Sequence, residues 1–245
     1  MAFLNGYFKS TVLEQEVCFN AIIPETCDEN NIKALYLLHG LSDNHTNWMR
    51  KTSIERYANE AKIAVFMPNA DRSFYADMKY GRNYYTFISD EFIEYTRKIF
   101  KLSKKREDTF IAGLSMGGYG AFKIALRNPD KFCAAASLSG VLDISSHNDP
   151  TSWDKDIFHI FGDVDTLEGT KESVITLIKE FEGDQKPRLY QACGTEDFLY
   201  KDNQTFKDVI KDKGFDHFYE EGPGSHTWAF WDKYIEKAIK FFMEG

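Results

Sequence analysis

The sequence predicts an α/β fold in which helices cover both faces of a mostly parallel sheet. Short apolar runs typical of buried strands alternate with segments of helical periodicity along the 245 residues. No internal repeat and no linker rich in proline or serine divides the chain, so residues 1–245 are expected to form a single domain. Two extended segments, over residues 3–13 and 16–23, predict an antiparallel pair at the N-terminal edge of the sheet.

The first half of the chain continues this alternation. Residues 33–38, Lys-Ala-Leu-Tyr-Leu-Leu, form a near-continuous apolar run, as expected for a strand buried on both faces. A helix over residues 53–62 leads into a strand over residues 63–67, which a proline ends. A polar, tyrosine-rich loop follows over residues 69–86, and the next helix is predicted over about residues 90–101.

The second half repeats the pattern around one long irregular stretch. A strand over residues 108–112 and a helix over residues 118–127 precede a strand over residues 133–138. Residues 141–169 are irregular and polar with Trp153 among them, and a loop of this length predicts a lid or a binding insertion. The remaining predicted elements are helices over residues 171–181, 203–213 and 228–243 and strands over residues 188–192 and 217–220.

Composition narrows the classes of partner. A net charge of −8 argues against nucleic acid or an anionic membrane as the main partner. The N-terminus lacks the features of a signal peptide, and no run approaches the roughly 20 apolar residues that span a bilayer. The four cysteines are scattered without metal-binding or redox spacing, which indicates reduced thiols, and a cytoplasmic location is therefore expected.

Motifs for metal ions and nucleotide cofactors are lacking. There is no His-Glu-x-x-His pair, and His39 and His45 stand apart from any carboxylate pattern. No Gly-x-Gly-x-x-Gly follows a strand, since Gly117-Gly118-Tyr-Gly120 belongs to a different motif. Neither a cofactor nor a metal is predicted.

That motif is Gly113-Leu114-Ser115-Met116-Gly117, placed between a predicted strand and a predicted helix. Strand, Gly-x-Ser-x-Gly and helix are the context of a nucleophile elbow, in which a sharp turn exposes the serine hydroxyl. Glycine is needed on both sides because a Cβ there would collide with the neighbouring strand or helix. The pattern predicts Ser115 as the nucleophile of a serine hydrolase.

A serine hydroxyl needs an adjacent base, and His226 is the candidate. It follows the last predicted strand and precedes the last helix, so the order serine, acid, histidine is respected. Asp197 falls at the carboxyl end of a strand and is predicted to orient His226 and to stabilise its imidazolium. Glu196 is the adjacent rival for the acid, and Asp202 is the next.

The oxyanion of the reaction needs two main-chain amide donors. Met116, directly after the nucleophile, is predicted to supply one at the start of a helix, and Leu41, in the loop after the central strand, the other. His39 is expected to brace that loop rather than to catalyse. Trp48 and His45 lie in the same region, where they form either the pocket wall or ordinary packing.

Four segments carry a resemblance to a known family. They are residues 37–48 with His-Gly-Leu, residues 110–122 around the nucleophile, residues 193–200 with Gly-Thr-Glu-Asp, and residues 224–228 with Gly-Ser-His-Thr-Trp. Together they span most of the chain, which resembles the esterase D-like branch of the α/β-hydrolases. That branch includes S-formylglutathione hydrolases, the feruloyl and acetyl-xylan esterases of carbohydrate esterase family 1, and mycolyltransferases. The small bacterial tributyrin esterases are the most similar group.

The resemblance implies an α/β-hydrolase fold and the same roles for Ser115, Asp197, His226 and the amides of Leu41 and Met116. It implies a serine carboxylesterase that cleaves short acyl esters through an acyl-enzyme, with acetyl or feruloyl groups on carbohydrate as candidate substrates. A thioesterase of the S-formylglutathione type is the alternative. A catalytically silent binding scaffold and acyl transfer to an acceptor other than water also remain open. Self-association is expected from the apparent relatives.

Aromatic residues are the candidates for the substrate pocket. Tyr75 lies in a segment that resembles the pocket-lining loop of the family, and Trp48 and Trp228 lie in two of the matching segments. Aromatic rings stack on sugar or cinnamoyl rings, although core packing would explain the same residues. The wider set of candidates for stacking is Tyr75, Tyr80, Tyr84, Tyr85 and Trp153.

Overall fold

The computed structural model describes residues 1–25, 31–146, 155–162 and 167–244, which build one eight-stranded sheet. The strands are β1 Ala2–Ser10, β2 Gln15–Ile23, β3 Ala34–Leu38, β4 Ala64–Pro68, β5 Thr109–Leu114, β6 Ala134–Leu138, β7 Arg188–Gly194 and β8 His217–Gly222. Their order across the sheet is β1-β2-β4-β3-β5-β6-β7-β8. Neighbours from β4 to β8 run parallel, so the mostly parallel sheet predicted from the sequence is confirmed.

The N-terminal edge of the sheet is antiparallel, as predicted. β1 pairs with β2 from Ala2 opposite Ile23, and β2 also runs antiparallel to β4. β1 ends at Ser10 rather than at the predicted Leu13, because the chain turns there. The Leu13 amide donates to the Ser10 hydroxyl over 2.9 Å, and Glu14 adopts a left-handed φ of 53° before β2 begins.

Helices flank the sheet in the predicted alternation, with three differences. The helices are α1 Asn47–Lys51, α2 Ile54–Ala61, α3 Tyr84–Thr86, α4 Ile93–Phe100, α5 Met116–Arg127, α6 Lys155–Phe161, α7 Val174–Lys179, α8 Tyr200–Ile210 and α9 Trp228–Met243. The short α1 and α6 were not predicted. The third difference is that helical structure before α4 starts at Tyr84 and continues through a π-helical turn, Phe87–Phe92. The side chains of Tyr84, Phe87 and Ile88 are buried there, so tertiary packing makes a helix of residues that look like a polar loop.

The core lies on both faces of the sheet. In β3, Tyr36 and Leu38 contribute to one apolar cluster, and Leu35 and Leu37 contribute to the other. All five residues of β3 are buried, which explains why its sequence is a continuous apolar run. α5 packs on the first face, and α2 and α9 pack on the second. The sheet thereby carries the carboxyl ends of β3, β5, β7 and β8 to one edge, where ligands bind in parallel sheets.

The stretch over residues 141–169 is only partly described. Residues 147–154 and 163–166, including Trp153, lie outside the described residues. Within the rest, residues 155–161 form the helix α6 rather than the irregular structure predicted. Ile157 and Ile160 of this helix are buried in the core. A lid role for 141–169 and the single-domain organisation of residues 1–245 stay predictions. In the described ranges, no helix is long and apolar enough to cross a membrane.

Candidate active site

Ser115 occupies a strained turn between β5 and α5. Its backbone has φ 53° and ψ −120°, a conformation that L-residues seldom adopt. The Ser115 amide donates to the Leu138 carbonyl over 2.9 Å, and the Ser115 carbonyl accepts from the Tyr119 amide over 3.1 Å. Two neighbouring elements therefore hold the turn, and the side chain is left partly exposed at the start of a helix.

Two glycines make the turn sterically feasible, as the motif predicts. A Cβ on Gly113 would lie 2.3 Å from the Gly117 carbonyl oxygen. A Cβ on Gly117 would lie 2.6 Å from the Leu38 carbonyl oxygen, at the end of β3. Real Cβ atoms do not approach backbone so closely, so both positions require glycine.

His226 and Asp197 face each other across the loops after β8 and β7. His226 Nδ1 lies 3.0 Å from each carboxylate oxygen of Asp197. The Asp197 side chain is fully buried, and its Oδ1 also accepts the Leu199 amide over 2.9 Å. A carboxylate held in this way fixes the imidazole with the Nδ1 proton toward the acid and leaves Nε2 for a second partner.

The two rival acids of the sequence lie elsewhere. Glu196 is exposed, and its carboxylate accepts hydrogen bonds from the Gly224 amide and, over 2.8 Å, from the Thr195 hydroxyl. These bonds to the neutral donors lower the pKa of Glu196. Asp202 is buried within α8. Glu196 thus ties down the loop that carries His226, whereas Asp197 contacts the imidazole itself.

The loop after β3 is braced by a buried histidine. His39 Nδ1 is 2.8 Å from the Gly40 carbonyl, to which it donates, since Nε2 accepts the Ala70 amide over 3.0 Å. Burial lowers the pKa of His39 to about 4, so the ring is neutral. His39 therefore serves as a main-chain brace beside Leu41, the role expected for it.

Ser115, His226 and Leu41 line one open pocket with a volume of about 620 Å³. The oxyanion candidate Met116 is buried beneath them as the first residue of α5. The lining residues are Gly40, Leu41, Ser42, Asp43, Arg72, Leu114, Ser115, Phe198, His226, Trp228 and Trp231. In the part of the chain that the structure describes, the Ser115 hydroxyl is not hydrogen-bonded to His226; such contacts often tighten only when substrate binds.

Of the three aromatic pocket candidates, the structure places only Trp228 on the wall. Trp48 is fully buried, and its indole donates to the Leu38 carbonyl over 3.0 Å. Tyr75 is also fully buried, and its hydroxyl donates to the His39 carbonyl over 2.9 Å. Both candidates were wrong as substrate contacts, because each ring supports the loop behind the pocket instead.

The other tyrosine candidates are also poorly placed for stacking. Tyr84 and Tyr85 are buried, whereas Tyr80 is exposed and stacks on Phe158 of α6. His45 lies in a neighbouring pocket, with its Nδ1 3.4 Å from the Cys18 sulfur. These residues therefore do not form an aromatic platform beside Ser115.

The structure adds pocket residues that the sequence analysis did not single out, among them Phe198, Arg72 and Trp231. Phe198 exposes its ring beside His226, and the only signal for it is its position directly after the candidate acid. Arg72 belongs to the loop predicted over residues 69–86, and its Nε is 2.5 Å from Asp156 of α6. Within the described ranges, no group of three or more histidine, cysteine, aspartate or glutamate residues is placed to hold a metal ion.

The geometry is that of an α/β-hydrolase, and comparison with known proteins agrees. The model of the family described as Esterase matches residues 10–242. The chain belongs to the esterase family. The predicted resemblance to the esterase branch of the α/β-hydrolases is thereby confirmed.

Three relatives align with this esterase along nearly its whole length. An acetyl esterase of Caldicellulosiruptor saccharolyticus is 34% identical over 264 residues, which cover 100% of this chain and 99% of the relative. The structure of FphF, a fluorophosphonate-binding serine hydrolase of Staphylococcus aureus, is 41% identical with a TM-score of 0.92, covering 99% and 98% of the two chains. An S-formylglutathione hydrolase, FrmB of the same organism, is 41% identical with a TM-score of 0.90 and the same coverage.

Proposed function

We propose that the protein is a serine esterase that hydrolyses short-chain acyl esters, acetyl esters above all, through an acyl-enzyme on Ser115. The observation that carries the proposal is the position of His226. Its Nδ1 lies 3.0 Å from both oxygens of Asp197, while its ring lines the same pocket as Ser115. The acetyl group is favoured because an acetyl esterase aligns with the whole chain.

The proposed first step is attack of Ser115 Oγ on the ester carbonyl carbon. His226 Nε2 takes the hydroxyl proton, and the buried Asp197 carboxylate stabilises the imidazolium that forms. The carbonyl oxygen gains the negative charge and accepts hydrogen bonds from the amides of Leu41 and Met116. Each such donor is worth a factor of about 10² to 10³ in kcat.

Departure of the alcohol completes the acyl-enzyme, and water then removes the acyl group. His226 gives its proton to the alcohol oxygen, the bond from that oxygen to the carbonyl carbon breaks, and the alcohol leaves. A water molecule then loses a proton to His226 and attacks the acyl-enzyme. His226 then returns that proton to Ser115 Oγ as the bond from Oγ to the carbonyl carbon breaks, which releases the carboxylic acid and restores the Ser115 hydroxyl.

A thioesterase of the S-formylglutathione type is the second candidate, favoured by the likeness to FrmB. Glutathione carries two carboxylates, so its recognition calls for cationic side chains at the pocket. Arg72 is the one lysine or arginine among the residues that line it, and Arg72 is already paired with Asp156. The charge of the described pocket therefore favours an oxygen ester.

The test is the rate of hydrolysis of three acyl compounds by wild type and by Ser115→Ala. We expect kcat/KM for p-nitrophenyl acetate and for acetylated xylo-oligosaccharide to exceed that for S-formylglutathione. We expect Ser115→Ala to abolish turnover of all three. A fluorophosphonate probe should add its mass at Ser115, and the exposed Ser146→Ala variant is the matched control that keeps both labelling and rate.

Two results would refute parts of this proposal. Full turnover by Ser115→Ala, or labelling at another serine, would remove the assigned nucleophile. A kcat/KM for the thioester well above that for both oxygen esters would keep the triad and make the thioesterase the function.

A further inference from the structure

Phe198 is an exposed aromatic ring in a turn that buries both of its neighbours. Asp197 and Leu199 point inward, and the Leu199 amide donates to Asp197 Oδ1 over 2.9 Å, which closes the turn. Phe198 is consequently directed outward, with 66% of its surface exposed. A single exposed phenylalanine is ordinary on a protein surface, so exposure alone does not indicate a binding role and the location of Phe198 must be considered.

The location of Phe198 is the wall of the active-site pocket, against His226. The two ring centroids are 4.5 Å apart, and the planes are inclined by 47°. Trp231 packs on another side of His226, with centroids 4.8 Å apart and planes at 88°. Trp231 is buried and its indole donates to the Ser139 hydroxyl over 3.2 Å, so it is part of the framework. Phe198 is the aromatic neighbour of His226 that remains available to a ligand.

The proposed reaction determines which part of the substrate comes to this place. To protonate the leaving alcohol, His226 Nε2 must come within about 3 Å of the alcohol oxygen. The carbon atoms attached to that oxygen are then held beside the imidazole ring. Phe198 touches that ring, so it lies next to the alcohol side of the ester.

We propose that Phe198 is a stacking surface that selects esters whose alcohol carries a ring next to the ester oxygen, either a pyranose or an aryl ring. The inference rests on the proposed function and adds a substrate class to it. An aryl ring presents a flat apolar face and a pyranose ring presents a face of C–H groups, and both surfaces pack against the face of a phenylalanine. Trp228 widens the aromatic wall of the same pocket.

The tyrosines that the sequence offers for this task do not line the pocket. Tyr75, Tyr84 and Tyr85 are buried, and Tyr80 stacks on Phe158. Among the described residues that line the pocket, the phenylalanine, tyrosine and tryptophan side chains are Phe198, Trp228 and Trp231, of which Phe198 is the exposed one. Recognition of a ring by stacking therefore centres on Phe198.

The experiment compares acetate esters that differ only in the alcohol. Phenyl acetate and acetylated xylobiose carry an aryl and a pyranose ring, and ethyl acetate carries none. We expect Phe198→Ala to lower kcat/KM for ring-bearing esters by roughly tenfold and that for ethyl acetate by less than about twofold. Because each substrate is compared with itself in wild type, differences in intrinsic reactivity cancel. The larger loss between the two ring esters identifies the preferred ring.

Two further variants make the comparison specific. Phe198→Trp keeps a flat aromatic face and should restore selectivity for rings, whereas Phe198→Leu keeps apolar bulk and should not. Phe218→Ala is the matched control, since Phe218 is 49% exposed on β8 and packs on Tyr190 outside the pocket. It should leave all three rates at the wild-type level.

Equal losses for ring-bearing and ring-free acetates in Phe198→Ala would overturn the inference, because they would mean that Phe198 only orients His226. Unchanged rates for all three esters would overturn it as well. Failure of the proposed function gives a different pattern. In that case the wild type hydrolyses none of the acetates, or Ser115→Ala still hydrolyses them.

Discussion

The hydroxyl of Tyr75 donates a hydrogen bond of 2.9 Å to the main-chain carbonyl of His39. Both residues are buried, and the His39 ring in turn donates to the Gly40 carbonyl over 2.8 Å. The main chain that leads to Leu41 is thus held by a tyrosine on one side and by an imidazole on the other. The amide of Leu41 is the proposed oxyanion donor, so these buried contacts determine where that donor lies.

Tyr75 itself sits in a strained turn that other residues hold in place. Phe74 and Tyr75 have φ values of 49° and 51°, and such conformations cost of order 1–3 kcal/mol per residue. The buried Lys123 ammonium donates to the Phe74 carbonyl over 3.2 Å and pairs with Glu172 over 2.7 Å. α5 therefore carries the nucleophile at its start and, through Lys123, also supports the loop behind the oxyanion donor.

Tyr75→Phe should lower both stability and turnover. Removing the hydroxyl takes a donor from a buried carbonyl, which costs about 1–3 kcal/mol in the free energy of unfolding. Because one of the two contacts that hold the main chain before Leu41 would be lost, we expect kcat for p-nitrophenyl acetate to fall while KM changes little. Urea unfolding and initial rates give the two quantities.

Tyr57→Phe is the matched control for this prediction. It removes a hydroxyl that donates to Asp232 over 3.1 Å, between α2 and α9. Tyr57→Phe should lower the free energy of unfolding without changing kcat. If Tyr75→Phe kept the wild-type kcat, the loop would be held sufficiently by His39 alone.

The alternation of strands and helices was predictable because parallel strands buried on both faces are continuous apolar runs, as in β3 and β5. The residues at which helices and strands begin and end were harder to predict. The helix before β5 begins at Tyr84, where buried tyrosine and phenylalanine side chains override a polar local composition. The ends of α8 and β8 also differ from the predicted ones, since packing against neighbours sets them.

The site residues that directly follow a strand were predictable from the sequence. Ser115, Asp197 and His226 each follow a strand, so topology alone brings them to one edge of the sheet. The direction of a side chain within a loop has no comparable signal. Tyr75 was expected in the pocket and is buried behind it, whereas Phe198 was not expected and lines it.

Asp197→Asn should reduce kcat on the order of 10⁴-fold with little change in fold, since an amide opposite His226 Nδ1 favours the wrong tautomer. Glu196→Gln is the paired variant, and it should retain activity within about threefold, because a glutamine oxygen still accepts the Gly224 amide. Initial rates and circular dichroism of both variants test this. A large loss in Glu196→Gln or in Asp202→Asn, with a small one in Asp197→Asn, would reassign the acid.

Ser115→Gly should be more stable than Ser115→Ala by about 1 kcal/mol. Both variants lack the hydroxyl, but glycine adopts the observed φ of 53° and ψ of −120° without strain, whereas alanine does not. The greater entropy of glycine in the unfolded chain offsets about 0.5–1 kcal/mol of this advantage. Urea denaturation at equal m-values measures the difference. If Ser115→Gly were instead less stable than Ser115→Ala by about 0.5–1 kcal/mol, the entropy of glycine would be the whole difference and the turn would store no strain at Ser115.

Acid should destabilise the protein through His39. Burial lowers the pKa of His39 from 6.5 to about 4, so between these values the unfolded chain takes up a proton that the folded protein does not. The free energy of unfolding then falls as pH decreases through this range, by up to about 1.4 kcal/mol per pH unit for one histidine. The stability that depends on the neutral His39 ring is fully present above pH 6.5 and is lost as the pH falls toward 4.

His217 adds to the same acid dependence, because burial also lowers its pKa to about 4. The contribution of His39 is isolated by comparing wild type with His39→Gln in urea unfolding between about pH 6.5 and pH 5, above the range in which ordinary carboxylates titrate. The variant should be less stable at neutral pH but should lose about 1–2 kcal/mol less on acidification. His159→Gln, at an exposed histidine, should follow the wild-type curve. Parallel curves of unfolding free energy against pH for wild type and His39→Gln would mean that His39 accepts a proton in the folded state as readily as in the unfolded chain. The loop before Leu41 would then depend on Tyr75 rather than on a neutral imidazole.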